Sequence, residues 1–256
     1  MPTALVTGAT AGIGESFTRL LAAKGFDLVI TARNKKRLEE CAKNLTKKYK
    51  VKVEVISADL NQPKEVAWVV KRLTDSKKPI EVLVNNAGFG IKTSFLHSKI
   101  EDENSLLDVL VKVPMQLTHA VLPYMKARNS GRIINVSSVA GWITGGTYSA
   151  AKSYVTVFSE YLHTELSNTN IKVTALCPGF THTEFHERGK MNMNGLPKWL
   201  WLNADRVVAD AWSDNSKGKA LSIPGKQYKI ITFISRFGYR PWVRKMGMNV
   251  RRSQRK

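Results

Sequence analysis

Short apolar runs alternate with helical segments along almost the whole chain. The intervening segments carry apolar residues at helical spacing, as Phe17, Leu20 and Leu21 do. Parallel strands need long crossover connections, which single helices supply. The pattern therefore predicts an α/β fold, a doubly wound Rossmann-type parallel sheet of about seven strands flanked by helices. The expected strands are residues 3–7, 27–32, 51–57, 82–84, 132–136, 171–176 and a short one near 219–223.

The chain shows no internal repeat and no break in composition, and its 256 residues suffice for one large core. We expect residues 1–225 to form one Rossmann-type domain, with a substrate lid at about 184–216. Residues 226–256 are expected to form a basic amphipathic C-terminal extension.

The net charge indicates the kind of binding partner, and the cysteine content indicates the cellular compartment. The net charge of +20 favours anionic partners. Cys41 and Cys177 cannot build a disulfide framework or a thiolate metal site, which favours a reduced, cytoplasmic setting. The first strand begins at about residue 3, so we expect no targeting segment. We also expect no membrane span, because no uncharged run approaches about 20 residues.

The first strand is followed by a glycine-rich turn, TGATAGIG at residues 7–14. A turn of this kind between a strand and a helix lets backbone N–H groups approach a diphosphate at the helix N-terminus, where the helix dipole favours anions. The turn therefore predicts a dinucleotide site. Its expected contact residues are Gly8, Thr10, Ala11, Gly12 and Ile13.

The TGxxxGIG spacing resembles the short-chain dehydrogenase/reductase family. Further landmarks of the family follow in order over residues 3–225: Asp59-Leu60, Asn85-Asn86-Ala87-Gly88, Ser137-Ser138, Tyr148-x-x-x-Lys152 and Pro178-Gly179. The second half is similar to uncharacterised bacterial NADP-dependent reductases with TYSAAK and PGFxxTEF patterns. The resemblance implies an oxidoreductase that transfers a hydride between a nicotinamide and a carbonyl or secondary alcohol.

The end of the second strand bears on the cofactor. An acidic residue there would bind a ribose 2′-OH, but the chain has Thr31-Ala32-Arg33-Asn34. A guanidinium pairs well with a 2′-phosphate, so Arg33 favours NADP(H). In the alternative, NAD binds and Arg33 is one of many solvated cations. The resemblance assigns further cofactor contacts to Asp59, Leu60, Asn86, Ala87, Gly88, Pro178, Gly179, Thr181 and Thr183.

Tyr148 and Lys152 are four residues apart and share one helix face. A tyrosine with an ordinary pKa near 10 needs help to donate a proton near neutrality, and a nearby ammonium provides it. The resemblance gives Lys152 a second role at the nicotinamide ribose. It makes Ser138 the donor to the substrate oxygen, with Ser137 as the less favoured candidate.

Two departures from the family pattern affect the catalytic prediction. About three residues fewer than usual separate Ser138 from Tyr148, which Gly145 and Gly146 can accommodate. Leu110 stands where the family has an asparagine that supports a proton route from the lysine. These departures keep open a weakly catalytic NADP-binding sensor or interaction protein.

The last third of the chain bears on substrates and partners. Met191, Leu196 and Trp199 in the expected lid either line an apolar pocket, which favours a hydrophobic or acyl-type substrate, or pack the lid on the body. His182 and His186 lack a third ligand, so we expect no metal. The family also implies a homodimer or homotetramer.

Residues 226–256 hold ten Lys or Arg and no acid. We expect their apolar residues to dock on the body or on a partner subunit and their basic residues to remain outward, with 251–256 disordered. A weak anionic partner, either an acidic carrier protein or a membrane surface, fits this charge. No module that reads nucleic-acid sequence is present. The apolar set is Ile230, Ile231, Phe233, Ile234, Phe237, Trp242, Val243 and Met246.

Overall fold

The computed structural model describes residues 1–189, 191–193, 196–245 and 248. Seven parallel strands form one sheet in the order β3-β2-β1-β4-β5-β6-β7. This order confirms the doubly wound Rossmann-type fold. The strands are β1 (Thr3–Thr7), β2 (Asp27–Ala32), β3 (Val53–Ser57), β4 (Ile80–Asn85), β5 (Gly131–Val136), β6 (Ile171–Leu176) and β7 (Leu221–Ser222).

Helices cover both faces of the sheet. They are α1 (Gly12–Ala23), α2 (Lys35–Tyr49), α3 (Pro63–Leu73), α4 (Ile100–Leu107), α5 (Val113–Arg128), α6 (Thr147–Glu165), α7 (Phe185–Arg188), α8 (Ala204–Ser216) and α9 (Lys226–Phe237). On one face α1, α2 and α8 pack around Phe17, Leu38 and Val207. On the other, α3, α5 and α6 pack around Val69 and Leu117.

The strand order reverses between β1 and β4, so the crossovers leave on opposite faces of the sheet. A crevice therefore opens at the carboxyl ends of these strands, where ligands of doubly wound sheets bind. All the functional landmarks of the sequence follow strands at this edge.

The helical segment Ile100–Arg128 differs from the two separate helices that the sequence predicts. A π turn at Asp108–Lys112 joins α4 to α5, and the N–H of Val113 donates to the Asp108 carbonyl. Pro114 has no N–H to continue the regular ladder, which accounts for the irregularity. By length and composition this segment is long and apolar enough to cross a membrane, but Leu117 and Met125 are fully buried in the core.

The C-terminal part of the expected lid at 184–216 packs against the sheet. Helix α8 buries Val207, Val208 and Ala211 in the sheet core and is therefore a structural element of the body. The segment that covers the crevice contains α7 and the 3₁₀ turn Lys198–Leu200, followed by Leu202, whose N–H donates to the Phe180 carbonyl.

The C-terminal extension docks differently from the expectation. Helix α9 buries Tyr228, Thr232 and Ser235, and Val243 is buried in the helical segment 240–245. Within one chain the body leaves part of the expected apolar set exposed, namely Ile230, Phe233, Ile234, Phe237 and Trp242. Met246 and residues 251–256 lie outside the described residues.

Candidate active site

The crevice at the carboxyl edge is a cleft of about 940 Å³. It brings together every site residue that the sequence predicted. They are Gly8, Thr10, Ala11, Gly12, Ile13, Arg33, Asp59, Leu60, Asn86, Ala87, Gly88, Ser138, Tyr148, Lys152, Pro178, Gly179, Thr181 and Thr183.

The turn between β1 and α1 has the geometry of an anion site. Gly12 has a φ of 53°, and a Cβ there would lie 2.7 Å from Thr183 Cγ2. A Cβ on Gly14 would meet the Gly8 carbonyl oxygen, so the helix can start this close to the turn only without one. The cap residue of α1 is Ala11, whose methyl group accepts no hydrogen bond from the first helical N–H groups. The turn thus fits a diphosphate that accepts those bonds.

Asn86 fixes this turn to the end of β4. Its Nδ2 donates to the carbonyl oxygens of Thr7 at 2.9 Å and Gly8 at 3.2 Å. In return, Thr7 Oγ1 accepts the N–H groups of Asn86 and Ala87, both at 2.9 Å. These bonds hold the two strand ends together at the point where the strand order reverses.

Two arginines lie at the end of β2. Arg33 is exposed and lines the cleft. Arg37, which the sequence analysis missed, donates to the Thr10 carbonyl at 3.1 Å and to both Glu184 carboxylate oxygens at 2.8 and 3.2 Å. The hydrogen bond from Arg37, with a second from Arg188, lowers the pKa of Glu184 to about 2. The first turn of α2 is therefore linked to the segment over the cleft.

Lys152 lies one helical turn after Tyr148 on α6, with its Nζ 5.7 Å from the centre of the Tyr148 ring. Its ammonium is buried and donates to the Val136 carbonyl at 2.7 Å. Burial lowers the pKa of Lys152 to about 8, because the charged form loses its hydration. Within the cleft, the cation therefore titrates close to neutral pH.

The two adjacent serines have different surroundings. Ser137 Oγ is buried and donates to the Lys152 carbonyl at 2.7 Å, with Thr156 Oγ1 also at 2.7 Å. Ser138 Oγ accepts the Ala140 N–H at 3.1 Å and donates only a long hydrogen bond, of 3.5 Å, to the Pro178 carbonyl. The Ser138 hydroxyl is thus less committed than that of Ser137 and better able to turn to a ligand.

The short spacing between Ser138 and Tyr148 has a local structural basis. Ser138 caps a single 3₁₀ turn, Val139–Trp142, and Gly146 caps α6 with a φ of 90°. A Cβ on Gly145 would lie 2.5 Å from Ser149 Oγ. Both glycines are therefore needed for a loop this tight.

Leu110 occupies the middle of the π turn, and its side chain borders Gly88 close to the lysine. A Cβ built on Gly88 would lie 2.7 Å from Leu110 Cδ2 and 3.9 Å from Lys152 Nζ. Leu106, Leu110 and Ala151 form a buried apolar cluster here. The ammonium thus has an apolar neighbour on this side, consistent with the direction of its pKa shift.

Tyr228 of α9 is a second residue that the sequence analysis missed. Its hydroxyl accepts the Phe180 N–H at 2.9 Å and donates to the Leu200 carbonyl at 2.6 Å. A Cβ on Gly179 would overlap the Tyr228 ring, so this glycine makes room for it. The extension therefore fixes the loop after β6, next to which His182 stacks on Trp201 with ring centroids 4.6 Å apart.

The family model for short chain dehydrogenases matches residues 2–193. An uncharacterized oxidoreductase of Staphylococcus epidermidis is 32% identical over 214 residues, covering 80% of this chain and 88% of the relative. A short-chain dehydrogenase from Sphingobium yanoikuyae in complex with NADPH is 32% identical. It has a TM-score of 0.84, with 90% of this chain and 92% of that chain covered.

A bulky-bulky ketone specific alcohol dehydrogenase from Comamonas testosteroni is 30% identical, with a TM-score of 0.80 and 93% of each chain covered. The family match spans most of the chain, and the cleft fits the dinucleotide that the Sphingobium enzyme carries. The chain belongs to the short-chain dehydrogenase/reductase family of oxidoreductases.

Proposed function

We propose that this enzyme reduces the carbonyl group of a hydrophobic substrate, or oxidises the matching secondary alcohol, with NADP(H) preferred over NAD(H). The observation that carries the proposal is the single cleft that holds the glycine turn and Arg33 together with Ser138, Tyr148 and Lys152. The cation and the absence of an acid at the end of β2 favour a 2′-phosphate over a free 2′-hydroxyl.

When bound, NADPH supplies the hydride for the carbonyl carbon. Tyr148 then gives its phenolic proton to the carbonyl oxygen, and solvent restores that proton after the alcohol leaves. The Lys152 ammonium stabilises the phenolate left on Tyr148. Ser138 donates to the substrate oxygen while its negative charge develops, which is where a hydrogen bond accelerates the step most.

The lining of the substrate end supports a hydrophobic substrate. Phe185, Met191, Leu196, Leu200 and Ile231 line the same cleft as the catalytic set. The Phe185 and Tyr148 rings lie 5.9 Å apart, which places an apolar wall beside the proton donor. The Comamonas relative, named for bulky ketones, supports the same substrate class.

A protein that only senses NADP is not favoured. An apolar residue at Leu110 lowers the polarity around Lys152, but the ammonium keeps its position one turn from Tyr148 and a carbonyl partner at 2.7 Å. These contacts preserve the proton-donating pair, so the departure at Leu110 bears on the pH range of the reaction.

We further propose a cytoplasmic homodimer or homotetramer. The outer face of α5 and α6 exposes Met115, Tyr154, Val157 and Tyr161, and Tyr154 stacks on Phe158. A second subunit would cover this apolar face. Cys41 and Cys177 are both free thiols, in keeping with a reducing compartment.

The proposal is tested by NADPH and NADH consumption across matched carbonyl compounds. The panel holds bulky aromatic and long-chain ketones, with small polar aldehydes and hydroxyketones as the control set. We expect turnover with the bulky apolar ketones and at least a tenfold higher kcat/KM with NADPH than with NADH. Turnover confined to the small polar compounds, or equal use of both cofactors, would contradict it.

A further inference from the structure

Helix α9 has two faces with different surroundings. Tyr228, Ile231 and Ser235 point inward and line the cleft. Ile230, Phe233 and Phe237 follow at i, i+3 and i+7 on the opposite face, which is exposed. A stripe of this kind normally faces a protein core, but here the apolar stripe faces outward.

Exposed aromatic residues extend this face beyond α9. Phe233 and Phe237 are 65% and 69% exposed, and their rings touch with centroids 5.1 Å apart. Tyr239 and Trp242, which follow α9, are 76% and 53% exposed. We call this set, with Ile230 and Ile234, the C-terminal apolar face.

Cations surround this face. Lys226, Lys229, Arg240, Arg244 and Lys245 are all exposed. Arg236 reaches Glu160 of α6 at 3.7 Å. The whole segment 226–256 holds no Asp or Glu, so nothing within it neutralises this charge.

We propose that the C-terminal apolar face docks on the surface of an anionic lipid bilayer. Exposed Phe, Trp and Ile beside Lys and Arg on a short helix are what a helix lying in the membrane interface requires: the apolar side chains enter the acyl boundary while the cations meet the headgroups. Docking through this face goes beyond the proposed oxidoreductase function and does not depend on it.

The positive charge around the C-terminal apolar face disfavours a second copy of the chain as its binding partner. In a twofold contact the same patch meets itself, so two sets of cations without acids would face each other. A bilayer rich in anionic lipid offers the opposite charge over the whole area. The inner face of α9 lines the cleft, so docking would bring the bilayer next to the substrate end.

The test is co-sedimentation of the full-length enzyme with vesicles. One set holds phosphatidylglycerol and phosphatidylcholine, the other phosphatidylcholine alone. We expect binding to the anionic set that weakens as salt rises, and little binding to the neutral set. NADPH binding and circular dichroism establish that each variant is folded.

Two variants separate the apolar and charged contributions. The double change Phe233→Ser with Phe237→Ser should reduce binding at least tenfold. The triple change of Lys229, Arg240 and Lys245 to Gln should reduce it on the order of a hundredfold, from roughly fivefold for each cation near an anionic surface.

Each variant has a matched control elsewhere on the surface. Trp68→Ser removes an exposed aromatic residue of α3, and changing Lys43, Lys47 and Lys64 to Gln removes the same charge outside the extension. Both controls should keep vesicle binding within about threefold of the unmodified enzyme, since the local field of the extension is preserved.

Several outcomes would overturn the proposal. One is that the folded enzyme remains in the supernatant with anionic vesicles at low salt. Another is an equal loss of vesicle binding in the triple variant of the extension and in the triple control variant, which would mean non-specific adsorption by net charge. A serine variant that dissociates an oligomer in light scattering would identify the face as a subunit interface.

Discussion

Replacing Leu110 by asparagine tests how the apolar neighbour of Lys152 controls the pH dependence of reduction. Burial lowers the pKa of Lys152 to about 8, so the enzyme should lose reductase activity as pH rises through about 8. The sign follows from the chemistry: deprotonation removes the cation that stabilises the Tyr148 phenolate formed as the proton is donated.

The size of the effect follows from the contacts of Leu110. A Cβ on Gly88 would lie 2.7 Å from Leu110 Cδ2 and 3.9 Å from Lys152 Nζ, so both side chains border the same point beside Gly88. We expect an amide oxygen at position 110 to form a hydrogen bond with the ammonium. A hydrogen bond to a charged group is worth about 1.5–3 kcal/mol. At 1.36 kcal/mol per pKa unit, the pKa of Lys152 should rise by about one to two units.

The assay is kcat/KM for ketone reduction with NADPH from pH 6 to 10.5 (a range chosen to bracket about 8 and its shift). We expect the alkaline limb to move from about 8 to about 9–10 in Leu110→Asn. The buried amide should also lower Tm by about 6–12 °C, for roughly 3 kcal/mol of lost packing and desolvation.

Leu110→Met is the matched control, because it keeps the volume and the apolar character. Its alkaline limb should remain near that of the unmodified enzyme. The reasoning is refuted if the asparagine and methionine variants, both folded at the assay temperature, have the same alkaline limb.

Three further changes test the cofactor end and the loop after β6. Arg33→Ala should weaken NADPH binding by about 1.5–3 kcal/mol in a fluorescence titration while NADH binding changes little; an equal loss for both would exclude a 2′-phosphate contact. Gly12→Ala places a methyl group 2.7 Å from a threonine methyl at a φ of 53°, so NADPH binding should fall at least tenfold. Gly218→Ala, with a φ of 69° and nothing within 4 Å, is its control and should bind normally. Tyr228→Phe removes the two hydrogen bonds of this hydroxyl, to the half-buried Phe180 N–H and the Leu200 carbonyl, and should cost about 1–3 kcal/mol in urea unfolding; an unchanged midpoint would show that these bonds contribute nothing to stability.

The doubly wound parallel sheet, and the grouping of the predicted residues in one cleft, could be predicted because their signals are local. The glycine turn, Ser138 and the Tyr148–Lys152 pair each sit at a strand end or on one helix turn. Parallel topology then brings the strand ends to one edge of the sheet. At these strand ends the local sequence pattern agrees with the folded arrangement, so the position of the cleft could be predicted.

The contacts that sequence reasoning missed join distant segments. Arg37 and Glu184 are 147 residues apart, and Tyr228 and Phe180 are 48 apart. Nothing in the local sequence around Arg37 or Tyr228 indicates such distant partners. Only the folded chain places them at the cleft.

Helix α9 was misjudged for a different reason. Periodicity locates the apolar stripe of Ile230, Phe233 and Phe237 but does not state which side of the helix meets the body. Tyr228 anchors the helix by its two hydroxyl hydrogen bonds, and this contact turns the apolar stripe outward. A specific polar contact thus prevails over the general preference for burying the stripe.

Single-turnover hydride transfer in Tyr148→Phe tests the central claim most directly. The phenylalanine ring preserves the packing against Phe185 but has no proton to donate. With a ketone identified in the screen, we predict a rate about 10²–10⁴-fold below that of the unmodified enzyme, with NADPH affinity within about twofold. Tyr154→Phe, on the same helix with an exposed ring, should retain the full rate. A Tyr148→Phe rate within tenfold of the unmodified enzyme would contradict the assignment of Tyr148 as the proton donor.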